Sequence, residues 1–217
     1  SGGFLIESLR HVWAQVKQEG EELNWPEREI FAEQQAVAIK NFRGIDKESF
    51  LSKTTKAYMA ILGDGRGGIF CENSLEVPSN WNATTRNIVQ LGAFDVVLTN
   101  PPYGSKLKIE DRAILSHYDL GYKWKSNNGT FEKTTKQLDY QTPQVLFIER
   151  CLNLLKPGGH LGIVAPESMF CNPSHKYIMN YVESKAQIEA VISMPEELFQ
   201  PHTHAKTCVV LMRKLSA

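Results

Sequence analysis

Hydrophobic positions in this chain follow two periods, and the places where one gives way to the other outline its elements. From Phe4 to about Gln18, Leu5, Leu9, Val12, Trp13 and Val16 fall on one helical face. A charged segment, Glu21 to Ile39, follows, and in Trp25-Pro26-Glu27-Arg28-Glu29 the proline suits a helix first turn with acids beside the positive helix end. Positions 20–40 read as a surface insertion, because doubly wound folds reach the next strand in about 20 residues. Asn41 to Asp46 is a short strand ending in a carboxylate, and Lys47 to Leu62 is a helix whose inner face carries Phe50, Leu51, Thr54, Ala57, Tyr58 and Ile61. After the turn cluster Gly63 to Gly68, Ile69 to Leu75 is a third strand with a polar end.

Further along, Trp81 to Leu91 predicts a helix, and Phe94 to Leu98 a buried strand that stops at Thr99-Asn100-Pro101-Pro102. Ser105 to Tyr140 is a long polar stretch, expected to be a mobile loop over about 104–140. Its lysines interleave with Tyr118, Tyr122, Trp124 and Phe131, which suits a lid over a nucleic-acid strand. A plain solvated loop fits it too, since five acids accompany the bases. A helix starts at Thr142-Pro143 and ends near Lys156-Pro157-Gly158-Gly159, and His160 to Pro166 is the next buried strand. Ser174 to Ser184 is helical, and Ile188 to Ser193 and Thr207 to Arg213 are strands. The link between those last two is too short for a crossover helix, so they pair antiparallel. The order predicts an α/β fold: a doubly wound, mostly parallel sheet closed by an antiparallel strand.

With 217 residues, 42% hydrophobic and 10% aromatic, the chain can bury one core and is expected to form one domain. Twenty-four basic residues balance 24 acidic ones, so any contact with a polyanion needs a local patch or a partner. Cys71, Cys151, Cys171 and Cys208 lie far apart and read as reduced core residues of a cytoplasmic protein. No stretch is long and apolar enough for a membrane, and the start has no signal-peptide pattern. His202-Thr203-His204 offers two imidazoles without a third ligand, so no metal is expected. Gly65-x-Gly67-Gly68 precedes a strand instead of following one, which rules it out as a nucleotide loop.

The candidate chemistry lies in Asn100-Pro101-Pro102-Tyr103. Asn100 has a side-chain carbonyl that can accept from an amino group. Pro101 and Pro102 have no N–H and a fixed φ, so their carbonyls can serve as preorganised acceptors. Tyr103 supplies a flat face for stacking. These groups suit a planar substrate with an exocyclic NH2 that must be made more nucleophilic. A second candidate is Asp46, a carboxylate at a strand tip that can either accept from ribose hydroxyls or cap the following helix.

The stretch resembles the Asn-Pro-Pro-Tyr motif of amino-group methyltransferases, above all adenine-N6 DNA methyltransferases, and the chain is similar over most of its length to methylation subunits of type I restriction-modification systems. The resemblance assigns Asn100 and the Pro101 carbonyl, within the Asn100 to Tyr103 motif that includes Pro102, to the target amine, and Tyr103 to a flipped base. Ser1-Gly2-Gly3-Phe4-Leu5 matches the end of that family's donor loop, although Ser-Gly-Gly alone could also be a cloning remnant. Ser1, Gly2, Gly3 and Phe4 are then expected to touch S-adenosyl-L-methionine, where glycine lets backbone approach closely and the helix N-terminus faces a carboxylate. In this order Asp46 becomes a ribose ligand. Asn73, in Asn73-Ser74-Leu75, takes the place where the family more often has Asp, against the donor's adenine. The resemblance implies methylation of adenine N6 in DNA, with a specificity subunit and a restriction subunit as partners. It also implies that the chain begins inside its own donor site, without the first strand, and that alone it neither methylates DNA nor prefers a sequence. The same motif could serve protein glutamine or ribosomal RNA as substrate, or persist in a non-catalytic nucleotide-binding or assembly piece.

Overall fold

The computed structural model describes residues 2–63, 68–104, 106–199 and 205–216. Ser1, the centre of the 63–68 glycine cluster and the His202-Thr203-His204 triplet lie outside them. The chain divides into two compact units, Ser1–Glu76 with Trp81–Arg86, and Val77–Asn80 with Asn87–Ala217.

In the first unit, α1 (Gly3–Glu22) and α2 (Glu27–Asn41) pack on each other and precede β1 (Gly44–Asp46), α3 (Ser49–Leu62) and β2 (Ile69–Cys71), with the first turn of α4 (Ala83–Ile88) at its end. The core is Leu9, Ala38, Met59 and Ile69, with Leu5, Trp13 and Phe42 against it. The charged 20–40 segment is therefore mostly helix, and it is tied down by a reciprocal pair: Trp13 Nε1 donates to the Gln34 carbonyl at 2.7 Å, and Gln34 Nε2 donates to the Trp13 carbonyl at 3.0 Å. β1 and β2 are parallel, in register from Gly44–Ile69 to Asp46–Cys71.

The helix expected over 47–62 is present, but it turns another face inward. Ser52, Thr55 and Met59 are buried, whereas Phe50 is 78% and Ile61 82% exposed. The physical reason is local. Ser52 Oγ donates to the Ser49 carbonyl at 3.0 Å and Thr55 Oγ1 to the Leu51 carbonyl at 2.9 Å, so both hydroxyls enter the interior already satisfied.

The second unit carries β3 (Phe94–Thr99), α5 (Arg112–Ser116), β4 (Tyr122–Asn127), β5 (Thr130–Gln137), α6 (Pro143–Leu154), β6 (Leu155–Pro166), α7 (Ser168–Cys171), α8 (Lys176–Lys185), β7 (Ala186–Ser193) and β8 (Thr207–Lys214). Its main sheet has the order β3-β6-β8-β7. β3 runs parallel to β6, and β8 is antiparallel to both its neighbours, so the last strand is inserted between β6 and β7. Leu161, Ile163, Val210 and Met212 share one face and are fully buried, in a core to which α6 adds Leu146, Ile148 and Leu152 and α8 adds Ile178 and Val182. The architecture is the α/β class the element order implies.

β3 is less buried than its apolar sequence implies. Val97 and Thr99 lie in register with the buried Leu161 and Ile163, while Val96 and Leu98 take the opposite face and are 53% and 43% exposed. Among the described residues of this unit, β3 pairs with β6 alone.

The stretch expected as a polar loop contains regular structure. Asp111 caps α5, accepting from the N–H groups of Ala113 and Ile114, and a 3-10 turn at Asp119–Gly121 leads into the antiparallel β4–β5 hairpin. Asn128 and Gly129, both at positive φ, make its two-residue turn. All four cysteines are free; Cys151 and Cys208 are core residues as expected, but Cys71 and Cys171 are exposed. Burial pushes the Cys151 thiol up to about 12. Among the described residues, no helix is long and apolar enough to cross a membrane, and no group of acids, histidines and cysteines is placed to hold a metal.

Candidate functional site

The two sets of candidate residues belong to different units. In the second, Asn100 is the first residue past β3, whose last paired residue, Thr99, faces Ile163 of β6. Because β3 and β6 are parallel, their carboxyl ends share one edge of the sheet; β7, antiparallel to β8 as β6 is, ends on that edge too. This is the edge where open α/β sheets place ligands. Asn100 and Pro102 are exposed and Pro101 is buried, so the motif is anchored through its first proline and open on both sides of it.

Tyr103 is half-buried, and its neighbour there is Phe199, in the 3-10 turn Glu196–Phe199 that follows β7. The two rings meet edge to face, with centroids 6.2 Å apart and planes 80° apart. Burial raises the Tyr103 phenol above its ordinary range, which keeps it neutral and leaves it as a flat surface with a hydroxyl donor. Phe199 was not among the residues singled out from sequence. No local pattern marks it; the shared strand ends bring it to the motif.

In the first unit, β1 and β2 end side by side, which brings Asp46 next to the Glu72-Asn73 segment: the Glu72 N–H donates to the Asp46 carbonyl at 3.1 Å. Asp46 Oδ1 accepts from the Glu48 N–H at 2.9 Å, which folds the turn ahead of α3; the N-cap of that helix is Glu48 and no side chain caps it, so Asp46 is not the helix cap. A carboxylate has about four acceptor positions, so this turn leaves acceptor capacity on Asp46. Asn73 folds its own turn, Oδ1 accepting from the Leu75 N–H at 3.1 Å, while its backbone carbonyl accepts from the buried Trp81 indole at 3.0 Å. The amide oxygen expected to face a donor's adenine is thus already partly engaged.

Gly2 and Gly3 open α1 for different reasons. Gly2 is left-handed, φ 74°, and a Cβ there would come within 2.5 Å of the Thr55 methyl. A Cβ on Gly3 would meet nothing within 4 Å, and its φ is ordinary, so no internal contact requires glycine at that position. Open space at a helix N-terminus is compatible with a carboxylate-bearing ligand. Phe4 is 47% exposed on the first turn of α1.

Comparison with known proteins adds a family. The family model for N-6 DNA methylase matches residues 1–217. A Methanocaldococcus jannaschii protein named as a type II restriction enzyme and methyltransferase is 24% identical over 137 residues, 63% of this chain and 10% of the relative. Among solved structures, the EcoKI type I restriction enzyme M protein superimposes with a TM-score of 0.63 at 19% identity, covering 99% of this chain and 38% of that one. A class I S-adenosylmethionine-dependent methyltransferase from Listeria monocytogenes gives 0.59 at 20% identity, covering 82% of this chain and 45% of that one. The chain thus spans a tenth of the curated relative and less than half of either solved one.

Proposed function

This chain belongs to the N-6 DNA methylase family, and from that premise we propose that it is the catalytic part of an adenine-N6 DNA methyltransferase, the modification subunit of a type I restriction-modification system. The observation that carries the reading is the Asn100-Pro101-Pro102-Tyr103 run at the carboxyl end of β3, with Tyr103 braced edge-on by Phe199. The Asn100 side-chain carbonyl and the Pro101 carbonyl accept the two hydrogens of the target amine, raising electron density on nitrogen and orienting its lone pair. Pro102 keeps the loop rigid. Tyr103 stacks on the base, which must leave the duplex to reach the motif.

S-adenosyl-L-methionine is the methyl donor and, when bound, supplies an electrophilic methyl group. The residues that would hold it are Gly2, Gly3 and Phe4 at the start of α1, with Ser1 before them in sequence, Asp46 at its ribose and Asn73 at its adenine. Gly3 supports this assignment, since its lack of a side chain has no internal explanation. Catalysis by these residues is a matter of positioning and hydrogen bonding, with no covalent enzyme intermediate.

Likeness to a type I M protein over 99% of the chain supports the assignment to that class, with a specificity subunit and a restriction subunit as partners. The test is transfer of label from S-adenosylmethionine by a protein containing this chain, offered DNA, ribosomal RNA and glutamine-bearing protein side by side, with digestion of the product to nucleosides. N6-methyladenine in DNA is the expected product. Label in RNA or protein alone overturns the assignment.

A further inference from the structure

We infer that the outer face of the β4–β5 hairpin is a surface that grips duplex DNA by its phosphates, an inference that rests on DNA being the substrate. The chain as a whole has no net charge, so any attraction to DNA has to be local. The hairpin, residues 122–137, carries four lysines against one acid.

Its two faces differ in kind. Tyr122 and Trp124 alternate with Lys123 and Lys125 along β4, and Trp124 lies opposite Lys133 on β5. The face of Trp124 is the anchor. Its indole N–H donates to the Asp119 carbonyl at 3.1 Å, and its ring packs against Tyr177 and Tyr181 of α8 with centroids 6.4 and 6.1 Å away. Lys133, on this face, is neutralised by Asp119 and lies over the Tyr122 ring. The opposite face presents Lys123, Lys125 and, beyond an irregular step in the pairing, Lys136; all three are exposed, and none makes an ion pair with a described residue. Glu132, the acid opposite Lys125, is turned toward the Asn127 amide, whose Nδ2 donates to it at 3.2 Å.

A ribbon of two strands is narrow enough to enter a major groove or to lie along its edge. Lysines on a seated ribbon start from fixed backbone positions and reach phosphates on flexible stems, which suits contacts to a regular row of phosphates that carry no sequence information. A face made only for solubility is served equally well by mixed signs. Here the lysine on the anchored side is the one that is paired, and the three on the open side make no ion pair with a described residue.

The experiment is fluorescence anisotropy of a labelled mixed-sequence duplex with the full chain, titrated at several salt concentrations between about 50 and 200 mM. Wild type is compared with K123Q/K125Q/K136Q, and with K40Q/K53Q/K56Q, which removes the same charge from three exposed lysines of α2 and α3. The loss or retention of a Trp124-dependent emission component, defined by difference against W124F in each background, shows whether the hairpin stays seated. The hairpin variant is expected to bind about tenfold or more weakly at low salt, and its slope of log K against log salt is expected to fall by about 2 to 3, close to 0.9 for each phosphate that is no longer neutralised. The control keeps the wild-type slope to within about 1. Duplex binding by wild type with an unchanged slope in the hairpin variant overturns the hairpin surface and leaves the DNA reading standing. Failure of wild type to bind any duplex overturns both.

Discussion

Phe199 meets Tyr103 edge to face, at 6.2 Å between centroids and 80° between planes. The contact sets the tilt of the tyrosine ring without using its hydroxyl. Tyr103→Phe should therefore keep kcat/KM within a few-fold of wild type, while Tyr103→Ala should lose the stacking surface, about 1 to 3 kcal/mol of base binding. Phe199→Ala should cost less, about 0.5 to 1.5 kcal/mol, because it removes the brace and leaves the platform. Steady-state methylation kinetics on one oligonucleotide rank the three; equal damage from Tyr103→Phe and Tyr103→Ala means that the hydroxyl matters and the ring does not.

Asn100 and the proposed donor ligands Asp46 and Asn73 sit in different units. Asn100→Ala should lower methyl transfer by about a hundredfold or more, the cost of one acceptor aimed at the reacting group. Donor affinity, followed by calorimetry, should stay within a few-fold. A matching loss of donor affinity sinks this division of labour.

Gly3 separates a folding role from a binding role. Alanine has room there and a higher helix propensity, so Gly3→Ala should leave thermal stability unchanged or raise it by up to about 1 kcal/mol. If backbone must lie against the donor, the same substitution should weaken S-adenosylmethionine binding about tenfold, a cost near 1.4 kcal/mol. Full donor affinity in Gly3→Ala removes the opening of α1 from the donor site.

Glu149 gives a prediction in pH. It is buried on α6 and accepts from the N–H groups of Asp119 at 2.8 Å and Leu120 at 2.9 Å, fixing the turn that leads into the hairpin. Burial raises its pKa above the ordinary 4.5 more than those two bonds lower it. The folded chain thus keeps the proton to higher pH than the unfolded chain does. The stability this contributes is fully present below the unfolded value and is lost as pH rises through the folded one. The difference in stability between wild type and Glu149→Gln, which cancels the other titrating groups, should fall as pH rises from about 4 to 8. A difference that grows with pH means that the hydrogen bonds outweigh burial.

The proposed chemistry rests on residues that are neighbours in sequence, and that placement was legible. Asn100 to Tyr103 form a contiguous set, and the apolar run before them announces a strand that delivers them to a sheet edge. Phe199 was not legible, because its place depends on β7 ending on the same edge as β3. Periodicity located α3 but assigned it the wrong inner face: apolar residues lie on more than one side, and the buried side carries hydroxyls that bond to their own helix. A scale of hydrophobicity places Ser52 and Thr55 outside. In the same way Val96 and Leu98 suggest a strand covered on both faces, and β3 is covered on one. Between 105 and 140 the density of lysines and asparagines hid a ribbon whose alternation is visible once Trp124 is taken as its anchor.

The insertion of β8 between β6 and β7 has a kinetic side. Both neighbours leave the ribosome before the strand that joins them, and neither pairs with the other in the finished sheet. Until residues 207–214 arrive, β6 and β7 each present an open row of backbone donors and acceptors, and their closest available mistake is to pair together in parallel. Escape from that pairing requires separating two formed strands, so folding during synthesis should show a delay, absent from refolding of the complete chain, that shortens when the 186–193 strand is weakened.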